Sequence, residues 1–242
     1  MSVVTRVERV RAPTGEEFDA RAFVPGEPGV EGGAGILLLQ EIFGFDEFLR
    51  TRATRLAEMG YAVLVPDVFW RVVRNVSLAH DEPALQVAFG YMGRFAEVPA
   101  ERTTGDLVAA FAHLQALPEV RAKTAVVGYC LGGRLAFELA AASDPDACVS
   151  YYGSGIASEL GLSERVTCPV LFHFGGSDPY ISQAEIGAIS AAFAGRERTS
   201  VVVQEHAGHA FENSFAPAFS DVEAAAASWP VTVEFLARVL GP

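Results

Sequence analysis

The sequence predicts an α/β fold in which a mostly parallel eight-stranded sheet is flanked by helices. Three observations carry this expectation. Short β-branched runs recur along the chain, stretches of helical periodicity separate most of them, and one such run passes through a glycine-flanked cysteine directly into an alanine-rich helix. At 242 residues the chain fits one large domain of this class, and no repeat or linker divides it, so residues 1–242 are read as a single unit.

Val3 to Val10 and Phe18 to Val24 read as an opening hairpin around Pro13, Thr14 and Gly15. Ile36–Gln40, Ala62–Val65, Ala125–Tyr129, Ala147–Tyr151, Val170–Phe174 and Ser200–Gln204 supply the other six strands. Helices are expected over Glu47–Met59, with Gly60 as the stop, and over Glu101–Leu117, Leu131–Ala142, Ser182–Phe193 and Val231–Val239. Phe69 to Pro99 is less regular, with room for a helix after Pro83, and a connection of that length inside a domain is expected to border the active site.

Composition narrows the function. A net charge of −12 repels nucleic acid and anionic membrane surfaces, so neither is expected as a partner. No apolar leader opens the chain and no apolar run is long enough to span a bilayer, so a cytoplasmic protein is expected. Three cysteines, Cys130, Cys148 and Cys168, form an odd set without metal-like spacing, which argues against disulfides and structural zinc; no metal is expected. Cys148 and Cys168 sit beside strands, where a small buried thiol is the ordinary reading.

Cys130 stands apart. Thr124 to Ala142 reads TAVVGYCLGGRLAFELAAA, a strand, a G-x-C-x-G turn and a helix. This is the nucleophile elbow, in which glycines permit a strained turn that lifts the central side chain above the sheet. Cysteine stands where serine is usual, and the N-terminus of the following helix favours the thiolate. By itself such a turn could also hold an ordinary buried cysteine. Chain order adds weight, because this architecture places an acid and then a histidine beyond later strands. VLFHF ends in GGSDP, which offers Asp178, and SVVVQ leads into EHAGHAF, which offers His206 and His209. Register favours His209, after the glycine, as the base; His80, His113 and His173 read as structural or solvated. In LLLQEIFGF, Glu41 follows a strand, and its spacing alone does not choose between a solvated carboxylate and a catalytic one.

In combination, GYCLGG, QEIFG, the GGSDP turn and the AGHAF segment resemble the dienelactone hydrolase (carboxymethylenebutenolidase) family over nearly the whole chain. The resemblance implies an α/β-hydrolase without a cap domain, a Cys130–His209–Asp178 triad and no cofactor. It also implies that Glu41 helps deprotonate the thiol, and that the Leu131 and Ile42 amides form the oxyanion hole. Members that cleave dienelactone hold its carboxylate with two arginines. Here one of those positions is Asn213, and no Arg or Lys lies between Asn75 and Gly93; Arg71, Arg74 or Arg94 could substitute from nearby. The expected partner is therefore a small ester or lactone, the expected assembly a monomer or small homo-oligomer. Two rivals remain from the residues: a binding protein that captures its ligand without turnover, and a redox-responsive thiol protein built on Cys130.

Overall fold

The computed structural model describes residues 2–26 and 33–241. Eight strands form a mostly parallel sheet in the order β1-β2-β4-β3-β5-β6-β7-β8. The chain divides into two compact units, Met1–Ala125 and Val126–Pro242, and strand β5 (Val120–Tyr129) runs across the boundary.

In the first unit, β1 (Val3–Arg11) and β2 (Glu17–Pro25) pair antiparallel from Val3↔Pro25 to Arg11↔Glu17, and Gly15 takes the left-handed φ of +90° in the turn between them. β2 continues antiparallel onto β4 (Ala62–Pro66), which pairs parallel with β3 (Gly33–Leu39). The residues of β3 and β4 from Ala34 onward are buried and almost all apolar, as expected of strands covered on both faces. Helix α1 (Glu47–Glu58) begins at Asp46, whose side chain accepts from the Leu49 amide, and buries Phe48, Leu49, Ala53 and Leu56 at helical spacing. Gly60, at φ +99°, follows its end. The stretch after β4 contains a full helix, α2 (Glu82–Ala96), with Asp81 capping the Ala84 amide and Pro83 in its first turn. Helix α3 (Ala100–Ala116) then buries Leu107, Ala110, Phe111 and Leu114.

In the second unit, α4 (Leu131–Ala142) leaves β5 through the cysteine turn, β6 (Ala147–Tyr151) pairs parallel with β7 (Val170–Gly175), and β7 pairs parallel with β8 (Ser200–Gln204). A 3-10 segment, Ile156–Arg165, follows β6 without having been foreseen. Helix α5 (Gln183–Ala192) starts with a capping box between Ser182 and Glu185. The last helix, α6, runs Val222–Leu240 and so begins nine residues before the expected Val231. Pro230 lies inside it. The reason is packing: Ala224, Ser228, Thr232 and Leu236 recur every four residues and are all buried, and that face together with the Asp221 cap outweighs the disruption by proline. Among the described residues, no helix is long and apolar enough to cross a membrane.

Candidate active site

The elbow is a product of sterics. Cys130 has φ +54° and ψ −116°, a conformation that costs an L-residue free energy and persists only where the surroundings impose it. Its amide donates to the Tyr151 carbonyl at 3.0 Å, and its own carbonyl accepts from the Gly133 amide at 2.9 Å. The flanking glycines are required by contact. A Cβ on Gly128 would lie 1.9 Å from the Gly132 carbonyl oxygen, and one on Gly133 would lie 2.5 Å from that of Tyr151. The Leu131 amide opens α4 and belongs to the first turn, whose N–H groups lack intrahelical acceptors.

Beyond β7 and β8, two loops are stitched to one another. The Gly176 amide donates to the Gln204 carbonyl at 2.8 Å and the Ser177 amide to that of Ala207 at 2.9 Å. A side chain at Gly175 would strike the carbonyls of Ala207 and Gly208. This close approach brings the GGSDP turn against the histidine loop. His209 Nδ1 lies 2.7 Å from Asp178 Oδ2, and His209 Nε2 lies 3.1 Å from Cys130 Sγ. The second Asp178 oxygen accepts from the Tyr180 amide at 2.8 Å, so both carboxylate oxygens are engaged and the side chain is fully buried. The rings of Tyr152 and Tyr180 pack against the imidazole with centroids 5.2 and 5.1 Å away.

The electrostatics follow from these neighbours. Burial pushes the His209 imidazole down, but the Cys130 sulfur on one side and the Asp178 carboxylate on the other more than offset it and hold it at about 10. Both neighbours favour the charged imidazole, which can donate from both nitrogens. The other histidines differ. His206 is exposed. His173 is pushed down to about 3 by burial, which leaves a neutral ring whose Nε2 meets Thr232 Oγ1 at 3.0 Å. Burial likewise pushes the Cys168 thiol up to about 12 and raises Cys148, so both are poor nucleophiles at neutral pH.

Glu41 and Ile42 lie in the first unit, in the loop that leaves β3, and both are buried. Among the described residues, one group offers three ligand atoms close enough for a metal ion: Glu41, Asp46 and His80, with those atoms within 4.8 Å of one another. From the sequence His80 reads as structural or solvated; its partner Asp46 lies 34 residues away, and a tertiary pairing of that kind has no local signature.

The expected substrate-binding side chains have partners within the protein. Asn213 is fully buried, and its Oδ1 accepts from the Phe215 amide at 3.0 Å. Ala210, at a left-handed φ of +56°, precedes Phe211, Glu212 and Asn213, all of them buried. Arg71 is not free either. Its Nε and Nη2 grip Asp106 at 2.7 and 2.9 Å, with the guanidinium over the Trp70 ring. Arg94 donates Nη2 to the Val72 carbonyl at 2.9 Å. Arg71 and Arg94 line an open cleft of about 630 Å³ with Arg74 and Arg102, and Glu16 and Glu97 face the same space.

An imidazole held between a buried carboxylate and a sulfur on a strand-to-helix elbow, on a mostly parallel sheet, defines the α/β-hydrolase class. The profile of the dienelactone hydrolase family matches residues 18–240. Carboxymethylenebutenolidase 1 of Cupriavidus pinatubonensis is 32% identical over 217 residues, covering 90% of this chain and 91% of its own. A carboxymethylenebutenolidase of Pseudomonas putida is 34% identical over 199 residues, covering 81% and 83%. A candidate dienelactone hydrolase from Klebsiella pneumoniae subsp. pneumoniae superposes with a TM-score of 0.82 at 22% identity, over 98% of this chain and 100% of its own, and supports the fold. The chain belongs to the dienelactone hydrolase family, and it is a hydrolase.

Proposed function

We propose that the chain acts as one α/β-hydrolase domain that cleaves a small carboxylic ester or lactone through an acyl-enzyme on Cys130. The observation that carries this reading is the single imidazole lying 2.7 Å from Asp178 and 3.1 Å from Cys130 Sγ. In the proposed reaction the sulfur attacks the carbonyl carbon as thiolate, and the carbonyl π electrons move onto oxygen. The Leu131 and Ile42 amides stabilise that oxyanion. Collapse expels the alkoxide or enolate, which takes a proton from His209, and leaves a thioester. Neutral His209 then draws a proton from water, the resulting hydroxide attacks the thioester, and the thiolate leaves. Asp178 fixes the tautomer and supports the cation. Glu41 is assigned to helping deprotonate the resting thiol on the strength of the family resemblance alone. A thiolate is itself easily expelled from the tetrahedral intermediate, so activated esters and enol-lactones suit the site better than amides.

The preferred substrate is uncharged. A bound carboxylate calls for a bidentate arginine or an equal set of donors. Asn213 is buried and Arg71 is committed to Asp106, which supports a site without that clamp. The test is a paired measurement of kcat/KM on dienelactone and on a neutral enol-lactone of similar size. The neutral substrate is expected to win; a clear preference for the carboxylate overturns the substrate assignment.

A further inference from the structure

The loop that carries Glu41 is gripped by a later segment of the same unit. Gly44 and Ser77 form an antiparallel bridge, the Phe45 amide donates to the Val76 carbonyl at 2.8 Å, and the Leu78 amide donates to that of Phe43 at 2.9 Å. The seam requires glycine at position 44: its φ is +80°, and a Cβ there would meet the Val76 carbonyl oxygen at 2.1 Å. At the start of the loop, Gln40 holds the Val68 amide with its oxygen and reaches the Glu41 carbonyl with its nitrogen.

This seam delivers His80 to Asp46. His80 Nε2 lies 2.9 Å from Asp46 Oδ2, while Asp46 Oδ1 accepts the Leu49 amide at 2.8 Å as the cap of α1. The imidazole also packs against the Phe43 ring, with centroids 4.4 Å apart. Both side chains of the pair are nearly closed to solvent, at 7% exposure for His80 and 2% for Asp46. Atoms of Glu41, Asp46 and His80 lie within 4.8 Å of one another. Two buried carboxylates this close repel each other when both are charged. With His80 present, one Asp46 oxygen is bound to the helix and the other to imidazole. Without it, that second oxygen loses the imidazole while still lying close to the Glu41 carboxylate.

We infer that His80 is a positioning residue of the hydrolase: by holding Asp46, it keeps the Glu41 carboxylate in the place where it acts. His80 itself touches no reacting atom. The inference rests on the assignment of Glu41 to thiol deprotonation.

A double-mutant cycle on the full chain tests it, with kcat/KM on an aryl ester as the readout. His80→Phe keeps a ring against Phe43 and removes the donor; it is expected to lower kcat/KM about tenfold, mainly through kcat. Glu41→Gln is expected to lower it as well. In the Glu41→Gln background, His80→Phe should cost less than about twofold, because coupled neighbours are not additive. His80→Gln, whose amide still reaches towards Asp46, should recover most of the loss. Equal losses in both backgrounds mark a merely structural role and overturn the inference, as does no loss in either. A Glu41→Gln variant with unchanged kinetics refutes the Glu41 assignment itself, and the inference with it. If His80→Phe does not fold, His80→Asn runs the same cycle with an amide one carbon too short for Asp46. Loss of activity on dialysis against a chelator, restored by Zn²⁺, also overturns the inference, by making the three residues metal ligands.

Discussion

Asp178→Asn is the substitution whose outcome the geometry dictates most closely. The two Asp178 oxygens have different partners: one accepts the Tyr180 amide at 2.8 Å and the other faces His209 Nδ1 at 2.7 Å. In the asparagine variant the Tyr180 N–H pins the amide oxygen, so the NH₂ group is turned towards His209. Two donors then face each other unless Nδ1 loses its proton. The imidazole is forced into the tautomer that carries hydrogen on Nε2, where it cannot serve as the base for water. A buried hydrogen bond to a charged partner contributes about 1.5–3 kcal/mol. At about 1.4 kcal/mol per factor of ten, kcat/KM should fall roughly 10- to 150-fold. The assay is aryl-ester hydrolysis at neutral pH, with circular dichroism and thermal unfolding to show that the fold persists. A folded variant within twofold of wild type refutes the assignment of Asp178 as the orienting acid.

Two further outcomes follow from the same site. His209→Ala should lower kcat by about 10² or more, the contribution of a positioned acid–base, whereas exposed His206→Ala should change it less than about twofold; a reversed order overturns the register of the triad. Stability should depend on pH through His209. Its folded value of about 10 exceeds the ordinary 6.5, so its charged contacts contribute fully below about 6.5 and the contribution fades as pH rises through about 10. The Tm gap between wild type and His209→Gln should therefore shrink from pH 7 to pH 10 in thermal melts. A gap that stays constant over that window contradicts the raised value.

The parts of the site legible in the sequence are those imposed by local sterics. Gly128 is needed because any side chain there meets the Gly132 carbonyl, and that need is written in the G-x-C-x-G spacing. Strands β6 and β8 and helix α4 have the bounds expected from their sequence patterns, and β6, buried throughout, is a parallel strand of the kind that reads as a short apolar run. What escaped was set by tertiary contacts. The Arg71–Asp106 grip joins residues 35 apart, and the His80–Asp46 pair joins residues 34 apart. The burial of Asn213 has no local signature either: it lies just beyond Ala210, an alanine with positive φ. The first half of α6 was missed because Pro230 reads as a boundary, while the buried face that runs through it is visible only once packed.

The central claim is a covalent intermediate on Cys130, and intact-protein mass spectrometry tests it most directly. Protein mixed with an activated aryl ester and quenched in acid during the burst should gain the mass of one acyl group. Peptide mapping should place that group on the segment containing Cys130. Cys130→Ala should show neither the adduct nor turnover, while Cys148 and Cys168, whose thiols burial keeps protonated, should stay unmodified. An acyl group found on another residue, or a folded Cys130→Ala variant that still turns over the ester at the wild-type rate, contradicts the account.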